Sequence, residues 1–189
     1  NSDIKKTDFT IACFGFLYPH KGAAKLIEAF SKFVKLYPDV NVKLKLLMTV
    51  KDDYKTVNEF EFCKKIIEDL LIKDYVEWYV EFLEIDVIKS HLEDCDCVIL
   101  PYQYTEESSS AASRMVLSIC DCVAVTPAPI FDDIRDCCFT LDGFEKENIF
   151  YFIESAYKGL DENLVNKVKE NRNNWIHENN WTSIVKIYD

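Results

Sequence analysis

The sequence predicts an α/β protein built on a parallel, doubly wound sheet. Apolar residues recur alternately with a period of two and a period of about 3.6, the repeats that are typical of strands and helices. Two of the predicted strands end in polar loops that open directly into helices. Repeated alternation of strands and helices favours parallel pairing with right-handed crossovers. We therefore expect one α/β domain over residues 1–189.

The first half of the chain begins with a strand over Phe9–Phe14. A helix follows, because Leu26, Phe30 and Val34 fall on one helical face before Pro38 ends the pattern. The same alternation then predicts a strand at Val42–Val50, a helix at Val57–Leu71, a strand at Tyr75–Val80 and a short helix at Val87–Leu92.

The second half continues the alternation with shorter elements. They are predicted as strands at Cys97–Leu100, Cys122–Thr126 and Cys138–Leu141, a helix at Ser109–Ile119, and helical structure from Ile149 to the end. Ser108 or a neighbour is expected to cap the middle helix, because a hydroxyl oxygen accepts a hydrogen bond from the free N–H groups of a first turn. Pro127 and Pro129 end the strand before them.

Composition and charge exclude several classes of function. The formal net charge is -11, with acids in every segment, so the basic stripe that nucleic-acid binding needs is absent from the sequence. No apolar run approaches the roughly 20 residues of a membrane span, and the polar amino terminus is unlike a signal peptide. We expect a cytoplasmic protein. Because the chain starts without methionine and enters a strand almost at once, we expect it to be part of a longer protein.

The eight cysteines invite a metal or disulfide interpretation that their spacing does not support. The sequence contains no Cys-x-x-Cys pair, and the three histidines are widely separated. A reduced cysteine behaves as a small buried apolar residue. We expect eight reduced thiols and no metal.

Two loops carry the chemistry that the sequence predicts. They are Phe14–Gly22 and Leu100–Arg114, each following a strand and leading into a helix. Open α/β sheets bind ligands at the carboxyl ends of their strands. Lys21 offers a cation in the first loop, and Ser108–Ser110 offer backbone donors at a helix start in the second. Together the two loops predict a cleft that recognises phosphate.

Other α/β ligand sites fit the sequence poorly. The glycines after the first strand lack the Gly-x-Gly-x-x-Gly spacing of a dinucleotide site. Lys21-Gly22 reverses the order that a Walker loop needs, and Gly-x-Ser-x-Gly does not occur. A phosphoacceptor receiver would need an aspartate where Pro101 follows Leu100.

The two loops resemble those of the C-terminal, donor-binding domain of family 4 glycosyltransferases. His20-Lys21-Gly22 matches the first loop of that family, and Pro101-Tyr102 with Glu107–Ser110 matches the second. Trp175 and Trp181–Ile184 resemble its two terminal helices. The resemblance implies a Rossmann-like, doubly wound parallel sheet that forms one half of a GT-B fold. The N-terminal, acceptor-binding domain would then be absent from this chain.

The resemblance also implies residue roles. Lys21 and Gly22 would contact the diphosphate of a nucleotide sugar, together with Ser108, Ser109 and Ser110. Arg114 would reach a phosphate or pair with Glu107.

Sugar recognition is implied for the neighbouring carboxylates. Glu107 would be the catalytic residue and, with Glu106, would hydrogen-bond the donor sugar. Each residue also has a plainer role: Lys21 could be a solvated residue at a helix start, the glutamates could complement the helix dipole, and the serines could be caps.

The chain departs from the family pattern at three places. The family has a second glutamate eight residues after the first, where this chain has Met115, so the ribose contact is unassigned. Asp121–Ala124 replaces a Gly-x-Pro-Val turn, and Met48–Lys51 stands where a glycine is common.

Two classes of function follow. The first is retaining glycosyl transfer from a nucleotide-diphosphate sugar to a glycan or lipid-linked acceptor, in bacterial surface polysaccharide or glycoconjugate synthesis. The donor is a substrate, no metal cofactor is expected, and the isolated domain should turn over poorly. Any contact with the inner membrane would be peripheral and made through the missing half. The alternative is a degenerate GT-B domain that serves as a scaffold in a larger glycan-synthesis protein.

Overall fold

A computed structural model describes residues 8–179 and contains a six-stranded, entirely parallel sheet. The strands are β1 (Asp8–Phe16), β2 (Asn41–Thr49), β3 (Val76–Tyr79), β4 (Cys97–Leu100), β5 (Val123–Val125) and β6 (Phe139–Thr140). Their order across the sheet is β3-β2-β1-β4-β5-β6. The sheet grows outward in both directions from the β1–β4 pair. The predicted α/β, doubly wound parallel fold is confirmed.

The described residues contain six α-helices, of which the first four connect strands and the last two follow β6. They are α1 (Ala23–Leu36), α2 (Tyr54–Asp69), α3 (Ile85–Glu93), α4 (Ala111–Ile119), α5 (Lys146–Lys158) and α6 (Glu162–Glu178). Short 3-10 turns lie at Pro19–Lys21, Lys73–Tyr75, Pro129–Phe131 and Arg135–Cys137. Within residues 8–179, none of the helices is long and apolar enough to span a membrane.

The sheet separates two apolar cores because side chains alternate along a strand. In β1, Phe9, Ile11 and Cys13 are buried on the face covered by α1, α2 and α5. Ala12 lies on the opposite face, where Val98 of β4 packs with residues of α3 and α4. Both faces of the central strands are therefore buried, as expected for a parallel sheet.

Capping residues decide where the helices begin and end. α2 starts at Tyr54, three residues before the predicted start, because the Asp53 side chain accepts hydrogen bonds from Lys55 N and Thr56 N. The predicted C-terminal helical region is two helices. α5 ends at Lys158 and is followed by Gly159, which has a φ of 107°. The Asp161 side chain caps α6 by accepting a hydrogen bond from Leu164 N.

The C-terminal helix α6 is fastened to the end of α4 by a buried arginine. Arg172 donates to the carbonyl oxygen of Leu117 at 2.7 Å and to Asp121 Oδ1 at 2.7 Å. Trp175 packs against the core on the α3 and α4 face. The Trp181–Ile184 motif lies outside the described residues.

Candidate functional site

The two predicted loops meet at the carboxyl edge of the sheet, because β1 and β4 are neighbours. Gln103 N donates a hydrogen bond of 2.6 Å to the carbonyl oxygen of His20, which joins the second loop to the first. Gly22 has a φ of 74°, and a Cβ at this position would lie 2.0 Å from the carbonyl oxygen of Pro101. Only glycine allows this approach. The junction lies where the strand order reverses, the usual ligand position in such sheets.

Lys21 is a buried cation at this junction, with 8% of its surface exposed. Its Nζ lies 3.0 Å from Glu107 Oε2 and 4.0 Å from the centre of the Tyr102 ring. A buried ammonium group needs a compensating charge, which Glu107 supplies. The structure therefore brings together the first-loop cation and the second-loop carboxylate that the sequence predicted as site residues.

His20 is also a site residue, although in the sequence it stands out only as part of the His20-Lys21-Gly22 motif. Its Nε2 lies 3.3 Å from Glu107 Oε1, yet it is buried and makes no hydrogen bond within residues 8–179. The imidazole stacks on Tyr18, with ring centres 5.7 Å apart and planes 10° apart. Its position beside Lys21 in sequence was the available signal, but contact with Glu107 depends on how the loops pack.

The surroundings of the site lower two pKa values, those of Glu107 and His20. Partial burial acts to raise the pKa of Glu107, but the hydrogen bond and charge of Lys21, together with His20, outweigh it and lower that pKa. Burial and the charge of Lys21 lower the pKa of His20, although Glu107 opposes them. At neutral pH the site therefore holds an ionised carboxylate beside a neutral imidazole.

Helix α4 points its N-terminus toward the same edge, and Ser110 is its cap. The Ser110 hydroxyl oxygen accepts a hydrogen bond from Ser113 N at 3.2 Å and lies 3.2 Å from the Tyr102 hydroxyl. The helix begins at Ala111, so the predicted start at Ser109 is wrong by two residues. Ser110 is the capping residue because its hydroxyl also contacts the hydroxyl of the buried Tyr102.

The other predicted residues of the second loop differ in their surroundings. Glu106, Ser108 and Ser109 are exposed. Arg114 donates from Nη1 to the carbonyl oxygen of Ser110 at 3.1 Å and from Nη2 to Asp133. The ion pair between Arg114 and Glu107, one of the two predicted roles of Arg114, is not found, because the Arg114 guanidinium pairs with Asp133 instead. Contact of Arg114 with a phosphate stays a prediction.

An apolar cavity of about 310 Å³ lies beside these loops. It is lined by Gly15 at the end of β1, by Ala112 and Met115 of α4, and by Phe82 and Ile85 after β3. Met115 thus lines the cavity next to the site, at the position where the family that the two loops resemble has its second glutamate. A larger cavity of about 510 Å³ lies beside β6, α5 and α6 and is lined by none of the predicted site residues.

The cysteines are not arranged as a metal centre in the part of the chain that the structure describes. All eight lie within residues 8–179 and are free thiols. No group of three or more histidine, cysteine or acidic side chains in this range could hold a metal ion.

Comparison with known proteins gives similarity in structure but not in sequence. No family model and no curated protein matches the chain. A glycosyltransferase from Rickettsia africae ESF-5 has a TM-score of 0.76 at 15% identity, over 98% of this chain and 47% of that protein. The C-terminal domain of the glycosyl transferase group 1 family protein LpcC from Francisella tularensis has a TM-score of 0.70 at 14% identity, over 90% of this chain and 85% of that domain.

A third similar structure was solved with a nucleotide. HepE from Anabaena, in complex with UDP, has a TM-score of 0.71 at 16% identity, over 91% of this chain and 44% of that protein. The chain has the fold of a GT-B glycosyltransferase C-terminal domain. Identities this low show the fold alone, so membership of family 4 stays a prediction. The chain spans less than half the length of the Rickettsia and Anabaena proteins.

Proposed function

We propose that this GT-B domain binds a nucleotide-diphosphate sugar and acts as the donor half of a retaining glycosyltransferase. The observation that carries the proposal is the pairing of Lys21 with Glu107 at the joined loops after β1 and β4. The pair combines a cation for phosphate with a carboxylate for sugar hydroxyls at the edge where such sheets bind ligands. The acceptor-binding half would belong to a part of the protein outside this chain.

The phosphate-binding part of the proposal uses charge in a partly buried setting. The Lys21 ammonium lies among protein groups, where an anion is attracted more strongly than in water. The free N–H groups in the first turn of α4, after Ser110, add a partial positive charge at the same edge. The departing diphosphate of the donor would be stabilised by these fixed charges as it leaves.

The nucleoside would extend from the phosphates into the cavity beside Gly15. The apolar lining suits the faces of a base ring, since binding pockets for small molecules are commonly lined by apolar side chains. Met115 has no carboxylate to accept hydrogen bonds from ribose hydroxyls, so backbone groups would hold the ribose. The UDP complex of HepE supports a uridine nucleotide as the first probe.

The remaining parts of the proposal concern the catalytic residue and the acceptor. Glu107 would be the catalytic residue that hydrogen-bonds the donor hexose, with exposed Glu106 beside it. The acceptor would be a glycan or a lipid-linked acceptor in bacterial surface polysaccharide or glycoconjugate synthesis, and no metal is proposed. The likeness to the LpcC C-terminal domain and to the Rickettsia glycosyltransferase supports a transferase.

A thermal-shift screen against UDP, GDP, ADP, CMP and their sugars tests donor binding. A ligand that binds only the native state raises the melting temperature, and the rise grows with the logarithm of the ligand concentration relative to its Kd. We expect one nucleoside diphosphate and its sugar to stand out from the panel. No shift with any member at millimolar concentration would contradict the proposal.

A scaffold domain is the second candidate. The observation that favours it is Met115, which stands in place of a carboxylate at the cavity beside the site. If the domain is folded and no nucleotide in the thermal-shift screen raises its melting temperature, the scaffold function is the better conclusion.

A further inference from the structure

We propose that Glu107 is an internal counter-ion that occupies Lys21 until a phosphate replaces it, and that His20 is the positioning residue that then holds the Glu107 carboxylate. The proposal rests on the proposed donor site. It adds His20 to that site, together with a change of ion-pair partner for Lys21 from Glu107 to phosphate.

The first step is that Lys21 is already occupied. Its ammonium group is buried, and Glu107 Oε2 lies 3.0 Å from it, while the Tyr102 ring covers another side at 4.0 Å. Glu107 is the anion that contacts this ammonium within residues 8–179. A phosphate oxygen that forms a charge-assisted bond with Lys21 competes with Oε2 for the ammonium group, since two anions beside one cation repel each other.

The second step is that Glu107 can leave. Its side chain is 47% exposed, and it belongs to the irregular segment between β4 and α4. The Glu107 backbone N–H bonds the Thr105 hydroxyl at 3.2 Å, so the local turn can stay in place while the side chain rotates. Such rotations are fast for exposed side chains.

The third step is that a hydrogen-bond partner for the displaced Glu107 carboxylate is present. His20 Nε2 is buried without a hydrogen bond and lies 3.3 Å from Glu107 Oε1. A buried polar atom that lacks a partner is costly, so a carboxylate that turns toward it gains a hydrogen bond. The imidazole is held in position by stacking on Tyr18, whose hydroxyl donates to Asp53 at 3.2 Å.

The charges around His20 make the affinity for phosphate depend on pH. Lys21 on the same turn and Lys55 from α2 disfavour a second positive charge on the imidazole, and Glu107 from the second loop favours it. Binding adds a phosphate anion and moves the carboxylate toward Nε2, and both changes favour imidazolium. The pKa of His20 therefore rises on binding, the complex takes up protons, and affinity increases as pH falls.

The test measures binding of the β-methyl ester of UDP by calorimetry from about pH 5.5 to about pH 8. This probe carries no hexose, and its diphosphate has no group that titrates in that range. We expect affinity to rise roughly fivefold from the high to the low end, the scale of one partly exposed charge pair. Calorimetry in buffers of different ionisation enthalpy should detect proton uptake.

Three variants separate the roles. His20→Phe keeps the stacked ring and should lose the pH gradient, while His20→Gln keeps a donor and should bind without a gradient. Glu107→Gln frees Lys21, so it should bind the probe about threefold to fivefold more tightly than wild type near neutral pH. The matched control is His91→Phe, whose imidazole packs on Tyr79 and should leave the gradient intact.

The outcomes distinguish this inference from the donor site itself. If the probe binds and the His20→Phe gradient equals that of wild type, the inference fails and the donor site stands. If Glu107→Gln binds more weakly than wild type, the counter-ion role fails. If folded wild type does not bind the probe at millimolar concentration, both fail. Titration of His20 by NMR is an independent measure: Glu107→Gln should lower its pKa, and an unchanged pKa would remove the contact on which the exchange depends.

Discussion

Individual charged residues at the carboxyl edge of the sheet carry the proposed chemistry. Lys21 and Glu107 are 86 residues apart in sequence and form a direct ion pair. The pair has a plain structural role, since each group neutralises the other. Its position beside an apolar cavity and a helix N-terminus favours a ligand role as well.

Replacing Lys21 by alanine should weaken binding of a nucleoside diphosphate by roughly 1.5 to 3 kcal/mol, the range for hydrogen bonds to charged groups. Stability should change little, because the Glu107 carboxylate left behind can reach solvent. Calorimetry with UDP measures the first effect and urea unfolding the second. Lys25→Ala is the matched control, since Lys25, in the first turn of α1, pairs with Glu145 at the N-terminus of α5. Equal affinity in wild type and Lys21→Ala would make Lys21 a purely structural residue.

Replacing Glu107 by glutamine should separate sugar recognition from phosphate recognition. The amide keeps the size of the side chain but removes a negative charge, so the sugar nucleotide should bind more weakly. The free diphosphate should bind equally or more tightly, which gives a discrimination of about 1 kcal/mol or more. Calorimetry on both ligands tests this, with Glu93→Gln on α3 as the control for loss of an acidic charge. Equal weakening of both ligands would contradict the assignment.

Helix and loop junctions decide how these residues are held. α4 depends on Ser110 for its start, and Ser110 in turn depends on Tyr102. The Pro19–Lys21 turn depends on Gly22, which passes close to the second loop. Each junction therefore links a local backbone feature to a contact between loops.

Ser110→Ala should lower the free energy of unfolding by about 1 to 2 kcal/mol, because it removes a helix cap and leaves the buried Tyr102 hydroxyl without its partner. Ser109→Ala should change it by less than about 0.5 kcal/mol, since that side chain is exposed. Urea unfolding of the two variants makes the comparison. Similar costs for both would place the cap elsewhere.

Gly22→Ala should be the more damaging of two glycine substitutions with positive φ. A Cβ on Gly22 would meet the Pro101 carbonyl at 2.0 Å, whereas at Gly159, with a φ of 107°, nothing lies within 4 Å. Both variants carry backbone strain, but only Gly22→Ala also forces the two loops apart. We expect it to cost roughly 2 kcal/mol more than Gly159→Ala. It should also weaken diphosphate binding, and equal stability of the two variants would refute the close approach.

The whole molecule is a sheet with two apolar cores, and its thiols belong to those cores. Burial raises the pKa of Cys13 and of Cys120 to about 12, and that of Cys95 to about 11. Thiols with such values are almost fully protonated at neutral pH and react slowly.

Thiol titration should therefore count eight groups after unfolding and show slow, incomplete reaction in the native protein. Elemental analysis of the native protein should find no stoichiometric zinc. Fewer than eight thiols without reductant would indicate a disulfide, and bound zinc would show a metal site that the spacing of the cysteines did not predict.

The sequence by itself determined the class of the fold and the order of its elements. The predicted strand Cys97–Leu100 coincides with β4, and the other strands and helices lie close to their predicted positions, because periodicity depends on near neighbours. It also identified the two loops, since strand ends followed by Lys21-Gly22 and by a serine run are local patterns. Helix starts were less accurate, because Asp53 and Ser110 compete with adjacent polar residues for the cap.

Tertiary structure alone decided which side chains meet. The contacts of Glu107 with Lys21 and His20 exist because the crossovers put β1 beside β4, and the pairing of Arg114 with Asp133 depends on the turn after β5. The cavity beside Gly15 likewise needs residues from β1, α4 and the segment after β3. These contacts join residues far apart in sequence, and their geometry follows from packing and sheet order rather than from the preferences of neighbouring residues.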